Sequence, residues 1–365
     1  MKCKIILFSL FLFFIVTAAI AQKNIEIIRG TWVTNVASDI LKSRKNIIKG
    51  ITLCKKNGIN NIYVVVWNNG VTMYPSKVLQ EYIGVKQSKA YGNRDPLKEI
   101  IEEGHKAGIK VHAWFEFGFS YAYNDSASVW RKKYPEWVGR NNKGELLQKN
   151  KFFWWNSINP DVQTFLKKLI TEVVTNYNVD GVQGDDRMPA MPAEGGYDSF
   201  TLQLYAKDHN GAVPPQNVKD TSWLQWKANL VSAFGKRVYQ MVKGIKPKCI
   251  ISWAPSIYPW SKEQYLQDWP TWLKDGYADY IIPQLYRYKI EDYEKILKEL
   301  KAMVPPEMQD RIFPGILTSL GDDKYQSSRE LTDQMIRLNR QYGFSGEVFF
   351  YFETLNRLKG RFYSK

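Results

Sequence analysis

Eight short runs of β-branched and aromatic residues recur along the chain, and their spacing constrains the fold more than any other feature. They lie at 29–34, 62–67, 110–116, 181–185, 250–254, 280–286, 312–316 and 348–353. Helical patterns alternate with them, at 44–57, 96–107, 162–177, 224–243, 293–303 and 331–342. This alternation indicates βα units around a parallel sheet. Eight units predict an α/β fold, a (β/α)8 TIM barrel, with a doubly wound open sheet as the alternative.

Two connections are longer than a barrel requires. Residues 117–159 follow the third predicted strand, and residues 187–222 follow the fourth. Long loops in a compact domain usually carry function. We therefore expect the long loops after strands 3 and 4 to border an active site. Because no interdomain linker is evident, residues 22–365 are expected to form one domain.

The N-terminal residues predict export. Lys2 and Lys4 precede an apolar run at 5–20, and small residues close it at Ala21. This pattern is typical of a secretory signal peptide, here residues 1–21. The run is shorter than the roughly 20 residues that a spanning helix needs. We expect a periplasmic or secreted protein with no transmembrane segment in the mature chain.

Composition and motifs exclude several classes of protein. With 365 residues, 44% of them hydrophobic, and 3 Cys, the chain is not disordered, collagenous or rich in disulfides. A G-x-S-x-G elbow, a phosphate loop and a dinucleotide fingerprint are absent from the sequence. The His and Cys residues lack metal-ligand spacing, so neither cofactor nor metal is expected, with a calcium site of Asp side chains and carbonyls as the alternative. The net charge of +15 comes from dispersed lysines without a nucleic-acid motif, which favours a solvated basic surface over a nucleic-acid partner.

Carboxylates end three of the predicted strands. In barrels of this kind the active site lies at the carboxyl ends of the strands. Alternation along the strands directs four acids to that face, namely Glu116, Asp185, Asp186 and Glu353. Glycoside hydrolysis needs two carboxyl groups, one protonated and one ionised, and crowding beside Arg187 or Arg287 would separate their pKa values. These four are the candidate catalytic residues, although some of them are equally suited to orienting other groups by hydrogen bonds.

Aromatic and polar residues near the strand ends are candidates for binding a sugar. The chain holds 13 Trp and 22 Tyr, and flat aromatic faces can stack on sugar rings, although most aromatic residues of any protein lie in the core. The predicted substrate-binding residues are Trp32, Trp67, Asn68, Trp114, Arg187, Trp253, Gln284, Tyr286 and Arg287.

Several short motifs together resemble one known family. They are Gly-Thr-Trp-Val-Thr-Asn-Val from Gly30, Val-Trp-Asn-Asn-Gly from Val66, Tyr-Pro-Ser-Lys from Tyr74, Arg-Asp-Pro-Leu from Arg94, Trp-Phe-Glu-Phe-Gly from Trp114, Asp-Gly-Val-Gln-Gly-Asp-Asp from Asp180, Gln-Asp-Trp-Pro-Thr-Trp from Gln267 and Gln-Leu-Tyr-Arg from Gln284. The pattern is similar to glycosyl-hydrolase-like family 10, a family of exported bacterial barrels. Gly184 and Arg187 depart from it, since the family usually has a bulky apolar residue and an aromatic residue or His there.

The resemblance implies a glycoside hydrolase that cleaves O-glycosidic bonds of a polysaccharide. At least one branch of the family acts on peptidoglycan glycan strands stripped of their stem peptides. The resemblance matches Asp185, Asp186 and Glu116 to the acids of the family. A hydrolase of dietary or host polysaccharide and a non-catalytic glycan-binding barrel are the alternatives.

Overall fold

The computed structural model describes residues 27–125, 128–321, 324–358 and 361–363. The expected signal peptide lies outside these residues. Eight parallel strands carry the architecture, and we number them in chain order. They are β1 (Arg29–Val33), β2 (Asn61–Val65), β3 (Lys110–Phe115), β4 (Gly181–Gly184), β5 (Ile250–Trp253), β6 (Tyr280–Ile281), β7 (Gly315–Leu317) and β8 (Glu347–Phe350).

The strands form a sheet that curls into a barrel. Its order is β6-β5-β4-β3-β2-β1-β8-β7, with parallel pairing throughout. Isolated parallel bridges, Ile281 to Ile312 and Gln284 to Gly315, connect the two ends of this order. The predicted (β/α)8 barrel is therefore confirmed, and the open sheet is not.

Helices alternate with the strands. They are α1 (Arg44–Lys56), α2 (Lys77–Ile83), α3 (Pro96–Lys106), α4 (Val129–Lys133), α5 (Pro160–Asn176), α6 (Ser199–Asp208), α7 (Thr221–Ile245), α8 (Trp260–Tyr265), α9 (Trp269–Lys274), α10 (Ile290–Met303), α11 (Arg329–Gln341) and α12 (Glu353–Arg357). None of the helices among the described residues combines the length and apolar character needed to cross a membrane.

Helix α3 shows how the sequence determines where a helix begins and which of its faces is buried. The Asp95 side chain caps its N-terminus by accepting from the Lys98 N–H, and Pro96 occupies the first turn, where no N–H is needed. On its buried face, a Cβ at Gly104 would lie 2.6 Å from Val111 Cγ2. Val111 therefore faces the helices, as strand alternation predicts, and its neighbours on β3 face the barrel axis.

Polar and aromatic side chains fill the barrel interior. Trp32 Nε1 donates to Gln183 Oε1 at 2.7 Å, and Gln183 Nε2 donates to Ser252 Oγ at 3.1 Å. His112 stacks on Tyr63 with ring centroids 4.6 Å apart. Because these side chains are buried, the interior is a packed core rather than a channel. A ligand must therefore bind above it.

All eight strands differ from their predicted bounds, and three of them differ by three or more residues at one end. The pairing of β6 stops at Ile281, because Pro283 has no N–H to donate to the ladder. Strand β7 covers 315–317 rather than 312–316. Strand β8 ends at Phe350, and Glu353 begins helix α12. Glu353 is therefore not the last inward-facing residue of a strand.

The two long connections contain structure of their own. After β3, the segments Ser120–Tyr123, Gln148–Lys149 and Phe152–Trp154 form an antiparallel three-stranded sheet. After β4, the chain runs to α6 and then α7. Lys227 of α7 is buried and donates to the carbonyls of Ala193 and Gly195 in that second connection, which ties the loop to the helix.

Candidate active site

Arg187 is the centre of a cluster of charges at the carboxyl ends of β3 and β4. Its Nη2 lies 3.1 Å from Asp185 Oδ2, its Nη1 lies 3.0 Å from Asp186 Oδ1, and its Nη2 lies 3.8 Å from Glu116 Oε1. Burial disfavours the charged guanidinium, but the three carboxylates outweigh it and raise the pKa of Arg187. The structure thus brings three of the four predicted acids together around one cation.

Asp185 is the most restrained of the three acids. Its side chain is only 3% exposed, and it accepts hydrogen bonds from the Arg187 N–H at 3.0 Å and from Trp114 Nε1 at 3.1 Å. Burial raises the pKa of Asp185 well above its ordinary value; Arg187 opposes the rise, while the charges of Asp186 and Glu116 add to it. Asp185 therefore mainly holds Arg187 and Trp114 in place.

Asp186 is freer. Its side chain is 25% exposed, and Oδ1 has no aligned hydrogen-bond donor among the described residues, despite its closeness to Arg187. Its charge contributes, after burial, to a raised pKa of Tyr265 and of Tyr286. Asp186 thus lies against the cation through a buried oxygen, while a quarter of its side chain stays exposed.

Glu116 lies near the same Arg187 nitrogen, Nη2, as Asp185. Its Oε2 accepts from Asn68 Nδ2 at 2.6 Å, and the side chain is 15% exposed. Burial raises the pKa of Glu116, Arg187 and Asn68 lower it, and Asp186 raises it further, with a net increase. A carboxyl group in this setting keeps its proton to higher pH than an ordinary Glu.

Two glycines allow the loops to approach this closely. A Cβ at Gly184 would lie 2.2 Å from the Met188 carbonyl oxygen, and one at Gly118 would lie 2.2 Å from the Arg187 carbonyl oxygen. The departure from the family pattern at Gly184 therefore has a structural reason. The chain folds back at once after β4, and a larger side chain would collide with it.

A groove of about 560 Å³ opens beside Glu116. Its lining includes Asn68, which follows β2. It also includes the aromatic residues Phe117, Tyr123, Phe152, Phe350 and Tyr351. The Arg187 guanidinium lies over the Phe152 ring, 4.8 Å from its centroid. The sequence did not single out Phe117, Tyr123 or Phe152. The length of the loop after β3 was the one signal that pointed toward them.

The four predicted tryptophans are buried. Trp32 and Trp114 lie beneath the acids, in the barrel interior. Trp67 donates to the Gly118 carbonyl and stacks on Trp155, while Trp253 donates to the Tyr277 carbonyl. None of these rings has an exposed face on which a sugar could stack.

The three predicted binding residues after β6 have different surroundings. Gln284 Nε2 donates to the Ala254 carbonyl, and Arg287 Nη1 donates to the Tyr286 carbonyl. Burial, followed by the charges of Asp186 and Asp185, raises the pKa of Tyr286 well above its ordinary value. Tyr286 is therefore a neighbour of the acids, whereas Gln284 and Arg287 make backbone contacts.

Glu353 is placed apart from the other acids. Its Oε1 accepts from Ser38 Oγ at 2.6 Å, and its Oε2 accepts from Asn356 Nδ2 at 2.7 Å. It lines a neighbouring cavity rather than the groove beside Glu116. The structure therefore does not join it to the Arg187 cluster.

Neither a metal cluster nor a disulfide is found in the described part of the chain. No three His, Cys, Asp or Glu side chains there are arranged to hold a metal ion. Cys54 and Cys249 are buried and unpaired. Polar side chains in the groove, such as Asn68 and Glu116, can form hydrogen bonds with a ligand.

Two proteins that are named glycosyl hydrolases are similar in sequence to this chain. Glycosyl hydrolase DigH of Escherichia coli K12 is 25% identical over 342 residues, which cover 82% of this chain and 74% of DigH. Glycosyl hydrolase YngK of Bacillus subtilis strain 168 is 27% identical over 304 residues, which cover 73% of this chain and 55% of YngK.

Solved structures share the fold. The glycoside hydrolase domain of PgaB from Bordetella bronchiseptica superposes with a TM-score of 0.68 at 14% identity, over 91% of this chain and 96% of that domain. Alpha-L-fucosidase isoenzyme 2 of Paenibacillus thiaminolyticus gives a TM-score of 0.63 at 15% identity, over 89% of this chain and 46% of the fucosidase. The sequence model of the family described as glycosyl hydrolase-like 10 matches residues 27–323. This chain therefore belongs to the glycosyl hydrolase-like 10 family.

Proposed function

We propose that this protein is a glycoside hydrolase that cleaves O-glycosidic bonds within a polysaccharide. The observation that carries the proposal is the difference between the carboxylates that share Arg187. Glu116 is shielded and favours its proton, while Asp186 is more exposed and lies against the cation. Glycoside hydrolysis requires such a pair.

Glu116 is the general acid in this proposal. Its raised pKa keeps a proton available for the glycosidic oxygen, and Asn68 fixes the orientation of its carboxyl group. It lines the groove, so a bound sugar can reach it. Proton transfer from a positioned acid typically contributes about 10²–10⁴-fold to the rate.

Asp186 is the ionised partner. Arg187 stabilises its negative charge, and its side chain keeps exposed surface for the anomeric carbon or for an attacking water. Asp185 is a positioning residue, which acts through Arg187 and Trp114. Of the four carboxylates that the sequence predicts as catalytic candidates, this proposal gives reacting roles to Glu116 and Asp186 alone.

The sugar-stacking surface is formed by groove residues in place of the buried tryptophans. Tyr123 is exposed and packs against Phe152, with ring centroids 5.0 Å apart. Both line the groove next to Glu116. Aromatic faces at this position would hold a sugar ring while the acids act on its linkage.

The proposed substrate is the glycan strand of peptidoglycan stripped of its stem peptides, and the proposed location is outside the cytoplasm. The family resemblance supports the substrate, and the lysines and apolar run at the N-terminus support export. N-terminal sequencing of the protein recovered from its natural host should begin at Gln22. A mature chain beginning at Met1 would overturn the export proposal.

Release of reducing ends tests the function. The substrates are stripped glycan strands, intact peptidoglycan and a panel of neutral polysaccharides. Wild type should release reducing ends from the stripped strands. The Asp186→Asn variant should remain folded but release them at least 100-fold more slowly. Glu299→Gln, an exposed change on the outer helix α10, is the matched control for a lost charge. Binding without release by wild type would favour a glycan-binding barrel.

A further inference from the structure

A second cavity of about 550 Å³ lies beside the groove, at the carboxyl ends of β1, β7 and β8. Most of the side chains that line it can donate or accept hydrogen bonds with a ligand. They include Ser38, Ser319, Gln326, Glu353 and Asn356. The groove and this cavity are each within the range of about 300–1,000 Å³ that is typical of ligand pockets. Neither the reaction proposed above nor the Arg187 cluster uses the second cavity.

The groove and the second cavity share a boundary of three residues, which we call the ridge. Ala37, Gly321 and Tyr351 line both of them, so the groove and the cavity are adjacent on the same face of the barrel. The Tyr351 hydroxyl donates to the Ala37 carbonyl at 3.1 Å. Ala37 has a φ of +53°, which is uncommon for a residue other than glycine. Strained backbone of this kind is often found at ligand-binding sites.

The walls of the second cavity are already fixed. The Arg357 guanidinium donates to the carbonyls of Ser327 and Thr318, which ties α12 to the loop after β7. Ser38 and Asn356 hold the two oxygens of Glu353. Each carboxylate oxygen can accept more than one hydrogen bond, so Glu353 can still accept from a ligand hydroxyl. A hydroxyl-rich ligand therefore meets a preformed surface.

We propose that this second cavity is a distal subsite for a sugar unit of the polymer whose linkage is cleaved in the groove. A glycan chain crosses the ridge and places one of its hydroxyl-rich units against Glu353, Asn356 and Ser38. The protein therefore prefers long chains, and Glu353 is a binding residue rather than a reacting carboxylate. The inference rests on the proposed function, because it assigns the cleavage site to the groove.

Binding of fragments of increasing length tests the subsite. The probes are stripped glycan-strand fragments of two, four, six and eight sugars, titrated calorimetrically into Glu116→Gln, which is used so that fragments are not consumed. Affinity should rise at least 10-fold between the shortest and longest fragments. Adding Glu353→Ala, or separately Ser38→Ala, should remove most of that rise and leave the affinity for the two-sugar fragment within twofold. Adding Glu299→Gln should leave the whole length dependence unchanged.

Three outcomes are separable. No gain in affinity with length, or a gain that survives both Glu353→Ala and Ser38→Ala, overturns the distal subsite. An equal loss at every length also overturns it, because that result places Glu353 in the groove or in the general fold. Length-dependent binding that needs Glu353, together with no release of reducing ends by wild type, retains the subsite and rejects the hydrolase.

Discussion

At the residue scale, the chemistry of the site depends on one cation shared by three acids. The sequence predicted Asp185, Asp186 and Glu116 at strand ends, because periodicity shows where strands end and which side chains face inward. It did not show that Asp185 is held by Arg187 and Trp114 and nearly buried, while Asp186 stays more exposed. That difference depends on the burial of each group, which requires the loops to be in place.

Replacing Arg187 tests the importance of the shared cation for stability. Arg187→Ala leaves buried Asp185 without its ion pair, and breaking a buried pair typically costs about 3–5 kcal/mol. We expect a loss of this size in the free energy of unfolding at pH 7, measured by urea denaturation. Arg44→Ala is the control, because its pairs with Glu102 and Glu103 are at the surface, and its loss should be much smaller. Equal losses for the two variants would contradict the account.

The raised pKa of Glu116 predicts how stability changes with pH. Since folded Glu116 binds its proton more tightly than the unfolded chain, it contributes stability below the ordinary value of 4.5. This contribution is lost as pH rises through the higher folded pKa. Glu116→Gln removes this dependence. Urea denaturation between pH 4.5 and 8 should show the variant gaining stability relative to wild type as pH rises.

A pH-independent difference between Glu116→Gln and wild type would contradict the raised pKa. The same holds if the variant loses stability relative to wild type toward pH 8. Glu299→Gln, which removes an exposed carboxylate, serves as the control for a general change in net charge.

At the element scale, the order of strands and helices was predictable, but several ends were not. Helix α1 begins at Arg44 and α3 at Pro96, as the sequence predicts. The last strand was predicted to continue to Glu353, whereas the structure begins a helix there. Alternation no longer applies once the backbone turns helical, which explains why Glu353 is directed at Ser38 rather than at Arg187.

The contact between the loops after β3 and β4 predicts an unequal response of two glycines. Gly118 and Gly144 both have positive φ, but only Gly118 is pressed against another loop, at the Arg187 carbonyl. Gly144→Ala should cost about 1–2 kcal/mol from backbone conformation. Gly118→Ala should cost a further ~1–3 kcal/mol from overpacking and should also lower activity. Chemical denaturation and reducing-end assays measure both, and equal costs would contradict the close approach.

At the scale of the whole molecule, the sequence predicted the barrel and the face on which the candidate site lies. It did not predict the aromatic lining, because alternation gives the direction of a side chain but not its depth. Trp32 and Trp114 were predicted to bind substrate, yet they lie in the packed interior below the groove. Tyr123 and Phe152 reach the groove because the loop after β3 folds back as a small sheet.

The central claim is that Glu116 donates the proton and Asp186 is the ionised partner. Its most direct test compares rates on stripped glycan strands with rates on an activated aryl glycoside of the same sugar, such as a nitrophenyl glycoside, whose phenolate leaves without protonation. Glu116→Gln should lose about 10²–10⁴-fold on the strands but retain most of its rate on the aryl glycoside. Asp186→Asn should lose rate on both. If Glu116→Gln loses equally on both substrates, or if Asp186→Asn remains active on both, the account is wrong.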